Sequence, residues 1–175
     1  ARLTSLAGEA LRRSTGGTLG DLLAEKPGVA TSGFAPGAAS RPILRGLDNS
    51  RVGLVEGGTS SGGGSELGED HPLPIDPLTV SAVEITRGPE ALRYGAAAIG
   101  GAVVATDNRI PDRLPDCGRQ VRTDGLASAS PVQTQARPCA SAEIRSSVTS
   151  VDRGGESAVL LDAGGGSVAV HAEAF

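Results

Sequence analysis

The chain has 175 residues and a net charge of −4 at pH 7, with two Phe, one Tyr and no Trp or Met. This charge gives no electrostatic basis for binding nucleic acid, and no basic–aromatic pattern for stacking on bases is present. No run of 18 apolar residues occurs, so no transmembrane helix is predicted. The length fits one domain with an appendage, whose core must consist of Leu, Val, Ile and Ala.

The first clear element is a helix that begins after Thr18. Residues 1–17 are polar with scattered Leu and predict one weak helical turn. The Thr18 hydroxyl can cap the amides that follow, and Asp21 lies three residues on, as in a capping box. Three leucines between positions 19 and 23 share one face of this helix, and the following Pro-Gly pair ends it.

Short strands and a loop are predicted next. Residues 29–37 predict a strand followed by a Pro-Gly turn, and Pro42 places the next strand at a sheet edge or marks its beginning. Residues 51–56 alternate as a further strand. Residues 58–68 are rich in Gly and Ser, which predicts a flexible, exposed loop.

Residues 81–108 predict a strand, a short helix and a second strand. Val83 and Ile85 alternate with polar residues, which is the period of a half-buried strand. Pro89 suits the first turn of a helix because its φ is fixed and it has no N–H group. A Gly-Gly pair then permits a tight turn before a buried strand over residues 102–106.

This stretch resembles the end of the plug domain of TonB-dependent outer-membrane receptors. In that family a Val-Glu-x-x-Arg-Gly-Pro run precedes a short helix, a Tyr-Gly pair and a Gly-Gly-x-Val strand. The helix after Thr18 and the Arg-x-x-x-Arg-Gly run at residues 41–46 are similar to further plug patterns. The alternative interpretation is an arbitrary strand–helix–strand unit. The residues that carry the resemblance are Val83, Glu84, Arg87, Gly88, Pro89, Tyr94, Gly95, Gly100, Gly101 and Val103.

The resemblance implies an α+β fold. Residues 1–111 would form a plug-type mixed β-sheet with short helices, and a few antiparallel β-strands of a truncated transmembrane barrel would follow. The implied location is the bacterial outer membrane, and the implied function is energised uptake of a scarce nutrient. TonB would bind a segment upstream of Ala1, and the plug would contact its own barrel.

Three charged residues of the plug motifs, Arg45, Glu84 and Arg87, are expected from the resemblance to face charges of the barrel wall. Arg87 would pair with Glu84 or with barrel carboxylates. Solvated surface charge is the simpler interpretation. No enzymatic activity is expected, since the glycine-rich residues 95–101 lack the Lys and Ser/Thr of a phosphate-binding loop.

Glu69, Asp70 and His71 are three successive side chains that can bind a metal ion. A solvated acidic turn with a surface His is the simpler interpretation of an Asp-His pair alone. With Asp76-Pro77 in register, however, the pair resembles the Asp-His-x-x-x-x-Asp-Pro run of the zinc-uptake branch of these receptors.

The transported substrate is therefore expected to be zinc or another divalent metal, with no resident cofactor required. Carboxylate oxygen and imidazole nitrogen together suit Zn²⁺. The alternatives are the plug of a haem or siderophore receptor, or a metal-binding or interaction module that does not transport.

Residues 112–142 are predicted to be a linker that contains Cys117 and Cys139. Because the resemblance implies an oxidising compartment, a disulfide between these cysteines is favoured. A metal site is the alternative, but the spacing and partners for one are lacking.

Residues 143–175 are predicted to be the first strands of the barrel. Segments 144–152, 157–163 and 167–175 are separated by glycine-containing turns. In the last segment, Val168 and Val170 lie on an apolar face while His171 and Glu173 lie on the other. A transmembrane β-strand needs this alternation, but a soluble sheet with one solvated face has it too. Three strands cannot close a barrel.

Overall fold

The computed structural model describes residues 4–13, 17–33, 40–60, 73, 75–96, 98–111, 114–115, 139–150 and 153–175. Within these described residues the helices are α1, α2 and two 3₁₀ helices at Asn49–Arg51 and Pro89–Tyr94. The bounds are β1 (Thr4–Ala7), α1 (Gly8–Arg13), α2 (Leu19–Ala24), β2 (Val29–Gly33), β3 (Ser40–Leu44), β4 (Val52–Glu56), β5 (Thr59–Ser60), β6 (Ala82–Thr86), β7 (Gly101–Thr106), β8 (Cys139–Val148), β9 (Gly155–Gly165) and β10 (Val168–Ala174).

The described strands form three sheets. A five-stranded mixed sheet has the order β1-β6-β7-β4-β5, in which β4 and β7 are parallel and the other neighbours antiparallel. Strands β2 and β3 form a separate antiparallel pair, and β8, β9 and β10 form a three-stranded antiparallel sheet. The predicted α+β fold, a mixed sheet with short helices followed by antiparallel strands, is confirmed, and none of these sheets is closed.

We call the described residues from 4 to 111 the N-terminal unit, and strands β8 to β10 the C-terminal sheet. The core of the N-terminal unit is aliphatic: leucines of α1 and α2 pack with Val83, Ile85 and Val103 of the central strands. No helix in the described part of the chain is both long and apolar enough to cross a membrane.

Helix α2 forms as predicted. Thr18 accepts a hydrogen bond from the Asp21 amide at 3.4 Å, and its own amide donates to the Asp21 carboxylate at 3.3 Å, which completes the capping box. The helix buries Leu19, Leu22 and Leu23. A helix this short is stabilised mainly by the packing of its apolar face against the rest of the unit.

The segment before α2 is more ordered than the sequence predicts. Instead of one weak turn, it contains strand β1 and helix α1. Strand β1 pairs antiparallel with β6, with Leu6 opposite Val83, and both Leu6 and Leu11 are buried. A four-residue strand is too short to show a period, and its partner lies far along the chain, so local pattern could not reveal it.

Strands β8 and β9 are longer than predicted, whereas β10 is shorter by one residue at each end. Strand β8 begins at Cys139, within the segment predicted as linker, because its pairing with β9 continues to Cys139 opposite Gly164.

The helix predicted after Pro89 is a 3₁₀ helix. Pro42 pairs with Thr31 in a strand that has one neighbour, so its predicted edge position is confirmed.

Helix α2 and strand β3 approach each other closely at Gly20. A Cβ atom placed on Gly20 would overlap the Ser40 hydroxyl and lie 2.7 Å from the Ser40 carbonyl carbon. Since both the helix and the strand backbone would have to shift, only glycine fits at this position.

Gly20→Ala is therefore expected to destabilise the chain, although Gly→Ala within a helix ordinarily stabilises by about 1 kcal/mol. Overpacking should lower the free energy of unfolding by roughly 1–3 kcal/mol. Gly33→Ala is the matched control, because no atom lies within 4 Å of its added Cβ. Denaturant unfolding followed by circular dichroism measures both; equal stability of the two variants would contradict the close approach.

Candidate functional site: the interface between the N-terminal unit and the C-terminal sheet

The C-terminal sheet has its apolar face outward and its polar face inward. The outward residues include Ile144, Val148, Val168 and Val170, which are 73%, 86%, 61% and 56% exposed. The outward residues of all three strands are Ala, Val, Ile, Leu, Ser and Gly; none is ionisable. The inward face carries Glu143, Arg145, Asp162, His171 and Glu173.

This orientation is opposite to that of a sheet in a soluble protein, whose polar face meets water and whose apolar face meets the core. It is the orientation expected when the outer surface contacts lipid and the inner surface contacts polar groups. Of the two interpretations that the alternation in β10 left open, the arrangement of faces therefore supports the transmembrane one.

Arg145 attaches strand β8 to the N-terminal unit. One terminal nitrogen of its guanidinium donates to the carbonyl oxygens of Leu78 and Val80, each at 2.8 Å. The remaining nitrogens bind Glu143 of the same strand at 3.1 and 3.2 Å. The Arg145 side chain is largely buried, and a buried charge needs partners. Glu143 neutralises the charge, and the two carbonyls of the N-terminal unit accept the remaining hydrogen bonds.

The carbonyls that bind Arg145 are presented by a turn that Asp76 stabilises. The Asp76 carboxylate accepts a hydrogen bond from the Leu78 amide at 2.8 Å, and the Asp76 carbonyl accepts from the Thr79 amide and hydroxyl. Leu78 also packs against Ala158 and Leu160 of β9. Asp76, which the sequence placed in register with a zinc motif, has a structural role in this turn.

A second set of contacts joins residues just after β7 to β9 and β10. Asn108 donates to Asp162 at 2.7 Å, and Arg109 binds Glu173 at 2.8 Å. Arg109 also lies 3.6 Å from Glu56 and 3.7 Å from the carboxylate of Asp107. One arginine therefore links two carboxylates of the N-terminal unit to one of the C-terminal sheet.

His171 lies at the centre of this second set and its side chain is 2% exposed. Its Nδ1 is 2.8 Å from Asp162, and its Nε2 is 3.5 Å from Glu173. The sequence predicted that His171 and Glu173 share a face, but it did not reveal their partners Asn108 and Arg109. The available signal in the sequence was the spacing of two positions between ionisable residues on one strand face, Glu143 with Arg145 and His171 with Glu173.

Glu56 is one of three largely buried carboxylates around Arg109, together with Asp107 and Glu173. Burial raises the pKa of Glu56 above the ordinary value; Arg109 opposes the rise, and Asp107, Glu173 and Asp76 add to it. The hydrogen bond with Glu173 raises the pKa of Arg109, so the arginine stays charged. Burial therefore disfavours the ionised form of Glu56, and the neighbouring Arg109 favours it.

The predicted metal ligands Glu69, Asp70 and His71 lie outside the described residues. Within the part of the chain that the structure does describe, no group of three His, Cys, Asp or Glu side chains is placed to hold a metal ion. Cys117 also lies outside the described residues. Cys139 begins β8, with its sulfur 3.5 Å from the Pro115 carbonyl oxygen, and its pairing with Cys117 stays a prediction.

The three predicted plug–barrel residues lie apart from the interface just described. Arg87 is 6% exposed, and its guanidinium donates to the Pro27 carbonyl at 2.8 Å and the Thr4 hydroxyl at 3.3 Å. The hypothesised ion pair between Arg87 and Glu84 is not among the contacts of these two described residues. Glu84 is half-buried opposite Ser5 on β1, and Arg45 is an exposed turn residue; their contact with a barrel stays a prediction.

Comparison with known proteins identifies relatives for most of the chain. The family model described as TonB-dependent Receptor Plug Domain matches residues 1–102. A hemin receptor of Yersinia pestis is 31% identical over 101 residues, which is 58% of this chain and 15% of that protein. A hemin receptor of Yersinia enterocolitica is 34% identical over 83 residues, 47% of this chain and 12% of that protein. The chain thus spans a small part of the length of either relative.

Solved structures share the fold over nearly the whole chain. The ferric enterobactin receptor PfeA from Pseudomonas aeruginosa has a TM-score of 0.62 and 15% identity, covering 98% of this chain and 24% of that one. The siderophore receptor PirA from the same organism has a TM-score of 0.58, 17% identity and coverage of 98% and 26%. The copper transporter OprC has a TM-score of 0.59, 18% identity and coverage of 93% and 21%. At these identities the likeness concerns the fold alone.

Replacing Glu56 with Gln is expected to leave the chain at least as stable at pH 7. Because its pKa is raised, Glu56 contributes stability below its unfolded pKa, and that contribution is lost as the pH rises through the folded pKa. Gln removes the buried charge at pH 7 and loses an ion pair to Arg109 of at most about 1 kcal/mol. The advantage of Gln should shrink on acidification.

Thermal unfolding of Glu56→Gln at pH 7 and pH 4 checks this expectation, with the exposed Glu25→Gln as the matched control. A large loss of stability at pH 7 that is specific to Glu56→Gln would mean that the attraction of Arg109 outweighs the effect of burial.

Proposed function

We propose that this chain, which belongs to the family of TonB-dependent receptor plug domains, forms the plug and the first wall strands of a receptor that imports haem or a ferric siderophore. Family membership places the chain at the outer membrane and among receptors rather than enzymes, as predicted from the sequence. The activity, substrate and partners of the whole receptor belong to the proposal.

The observation that carries the proposal is the orientation of the C-terminal sheet. Its outward face is apolar and free of ionisable residues, while its inward arginine, carboxylates and histidine bind the N-terminal unit. A wall that contacts lipid on one side and encloses a polar plug on the other has this distribution.

Haem is the first candidate substrate. The two Yersinia relatives, at 31% and 34% identity, are named hemin receptors, whereas the siderophore receptors resemble this chain in fold alone. The zinc prediction finds no support among these relatives. His71 and His171 are the two histidines of the chain, and His171 is enclosed by carboxylates, so His71 is the imidazole with which this chain would bind haem iron or a metal ion.

In the proposed mechanism, substrate binds on the outer side and TonB engages a segment that precedes β1. Force on that segment would act first on β1, an edge strand attached to the sheet through β6. For a path to open, the plug must also shift against the wall, which requires breaking the contacts of Arg145 and Arg109. These contacts are hydrogen bonds and ion pairs, and beside them Leu78 packs against Ala158 and Leu160 in a small cluster separate from the main core. They can therefore break without unfolding the core.

The substrate is tested by growth and binding. A receptor carrying this chain should support TonB-dependent growth of a haem-requiring bacterial strain on hemin, and the purified receptor should shift the hemin absorption band. His71→Ala should weaken hemin binding, and Asp70→Ala should not. Growth under zinc limitation without any response to hemin, together with zinc binding that Asp70→Ala abolishes, would restore the zinc interpretation and contradict the present one.

Arg87 tests the role of the plug motifs. Its guanidinium links β1 to the turn at Pro27, and the sequence predicts that it also faces barrel carboxylates. Arg87→Ala is expected to lower uptake while the receptor still reaches the cell surface. The exposed Arg93→Ala is the matched control, since the Arg93 guanidinium lies over the ring of its neighbour Tyr94, 5.9 Å from the ring centre. Normal uptake in Arg87→Ala would count against the assignment, and loss of surface receptor would indicate a purely structural role.

A further inference from the structure

The chain that follows β7 meets the C-terminal sheet at two successive points. Arg109 binds Glu173 at 2.8 Å. Six residues later, the carbonyl oxygen of Pro115 lies 3.5 Å from the sulfur of Cys139. The chain has therefore reached the first residue of β8 at Pro115, although residues 116–138 still separate the two positions in the sequence.

Gly164 of β9 makes room for this segment. It is paired with Cys139 across β8 and β9, and a Cβ atom placed on it would lie 2.8 Å from both the Leu114 side chain and the Pro115 ring. A glycine within a strand is typical of a place where another part of the chain approaches closely. Leu114 and Pro115 therefore lie directly over the position at which β8 begins.

The second cysteine of the chain follows Pro115 by two positions. Cys117 itself lies outside the described residues. Consecutive Cα atoms are about 3.8 Å apart, so the Cα atom of Cys117 is at most about 7.6 Å from that of Pro115. A disulfide requires a Cα separation of about 4.4–6.8 Å. Because Pro115 contacts the sulfur of Cys139, Cys117 is within reach of that sulfur.

The chemistry of the bridge is thiol–disulfide exchange. The two thiols lose two electrons and two protons, and a disulfide-bearing donor of the periplasm accepts them and is reduced to a dithiol. One sulfur–sulfur bond then joins residues 117 and 139. Proteins of the outer membrane pass through this oxidising compartment, where such bonds form and persist.

We propose that a bridge between Cys117 and Cys139 is a short tether that keeps the N-terminal unit beside the wall. Without the bridge, the 27 residues 112–138 connect Pro111 to β8 and reach about 95 Å when fully extended. With the bridge, the connection consists of the five residues 112–116 and the two cysteines, and it reaches about 25 Å.

The tether restricts how a transport path can open. The contacts of Arg109 and Arg145 can break, but the N-terminal unit can then shift only within the length of the tether. A path therefore opens by rearrangement of this unit inside the wall and not by its departure. The proposal rests on the roles of plug and wall in the proposed function, and it holds for any substrate.

Force measurement on the full receptor that carries this chain tests the tether. The wall is held in a lipid bilayer, and the N-terminus is pulled before and after reduction. Reduction releases residues 118–138, which is expected to lengthen the fully extended connection by about 70 Å. The difference does not depend on how far the N-terminal unit unfolds, because that unit is the same in both states. Cys117→Ser should give the longer value with and without reductant.

Gly164→Ala tests whether the close approach positions the two cysteines. The added methyl group should displace Leu114 and Pro115, and the equilibrium constant for bridge formation in a glutathione buffer is expected to fall about tenfold, as overpacking of a close contact implies. Gly155→Ala is the matched control, since its added Cβ would meet its nearest neighbour at 3.8 Å. Equal constants in the two variants would contradict this positioning.

Two results would overturn the tether. One is an equal extension before and after reduction; the other is a change of a clearly different length, which would assign the cysteines to other partners. If Cys117→Ser does not reach the membrane, the peptides of the unreduced wild-type receptor decide the question. Mass spectrometry should find residues 117 and 139 in one linked pair, and two unlinked peptides would refute the proposal. None of these measurements involves transport, so the tether and the proposed function are tested separately.

Discussion

The arrangement of this chain depends on one constraint: the ionisable face of the C-terminal sheet must be satisfied by the N-terminal unit. Buried charges need partners, since transfer of an unpaired charge out of water is costly. Arg145 finds carbonyls and Glu143, and Glu173 finds Arg109. The outward face has no ionisable residue, so the alternation directs the ionisable side chains to the N-terminal unit and leaves the opposite face apolar.

The residues of the N-terminal unit that bind the C-terminal sheet lie in turns and at the ends of strands rather than within strands. Arg145 binds carbonyls that the Asp76 turn presents, and Asn108 and Arg109 follow the end of β7. The interior residues of the five-stranded sheet pack in the aliphatic core. Such a division allows contacts with the C-terminal sheet to change while the core stays packed, because the two sets of interactions share few residues.

Arg87 shows how a family motif can have a role inside the plug. It is nearly buried, and among the described residues its guanidinium bonds a carbonyl and a hydroxyl rather than a carboxylate. It thereby ties β1 to the turn before β2. Pairing of β1 with β6 and burial of Leu6 and Leu11 hold the start of the chain, and Arg87 adds a side-chain link from β1 to Pro27.

The sequence by itself determined the elements whose signals are local: the capped helix α2, the strands around Val83 and Val103, and the alternation of β10. Residue period and capping act within a few positions, so they can be read without a structure. Only the tertiary structure decided that β1 joins β6, that the apolar face of the C-terminal sheet is outward, and that His171 lies between Asp162 and Glu173. These features depend on contacts between residues distant in the chain, and which face of an alternating strand is covered is fixed by what packs against it.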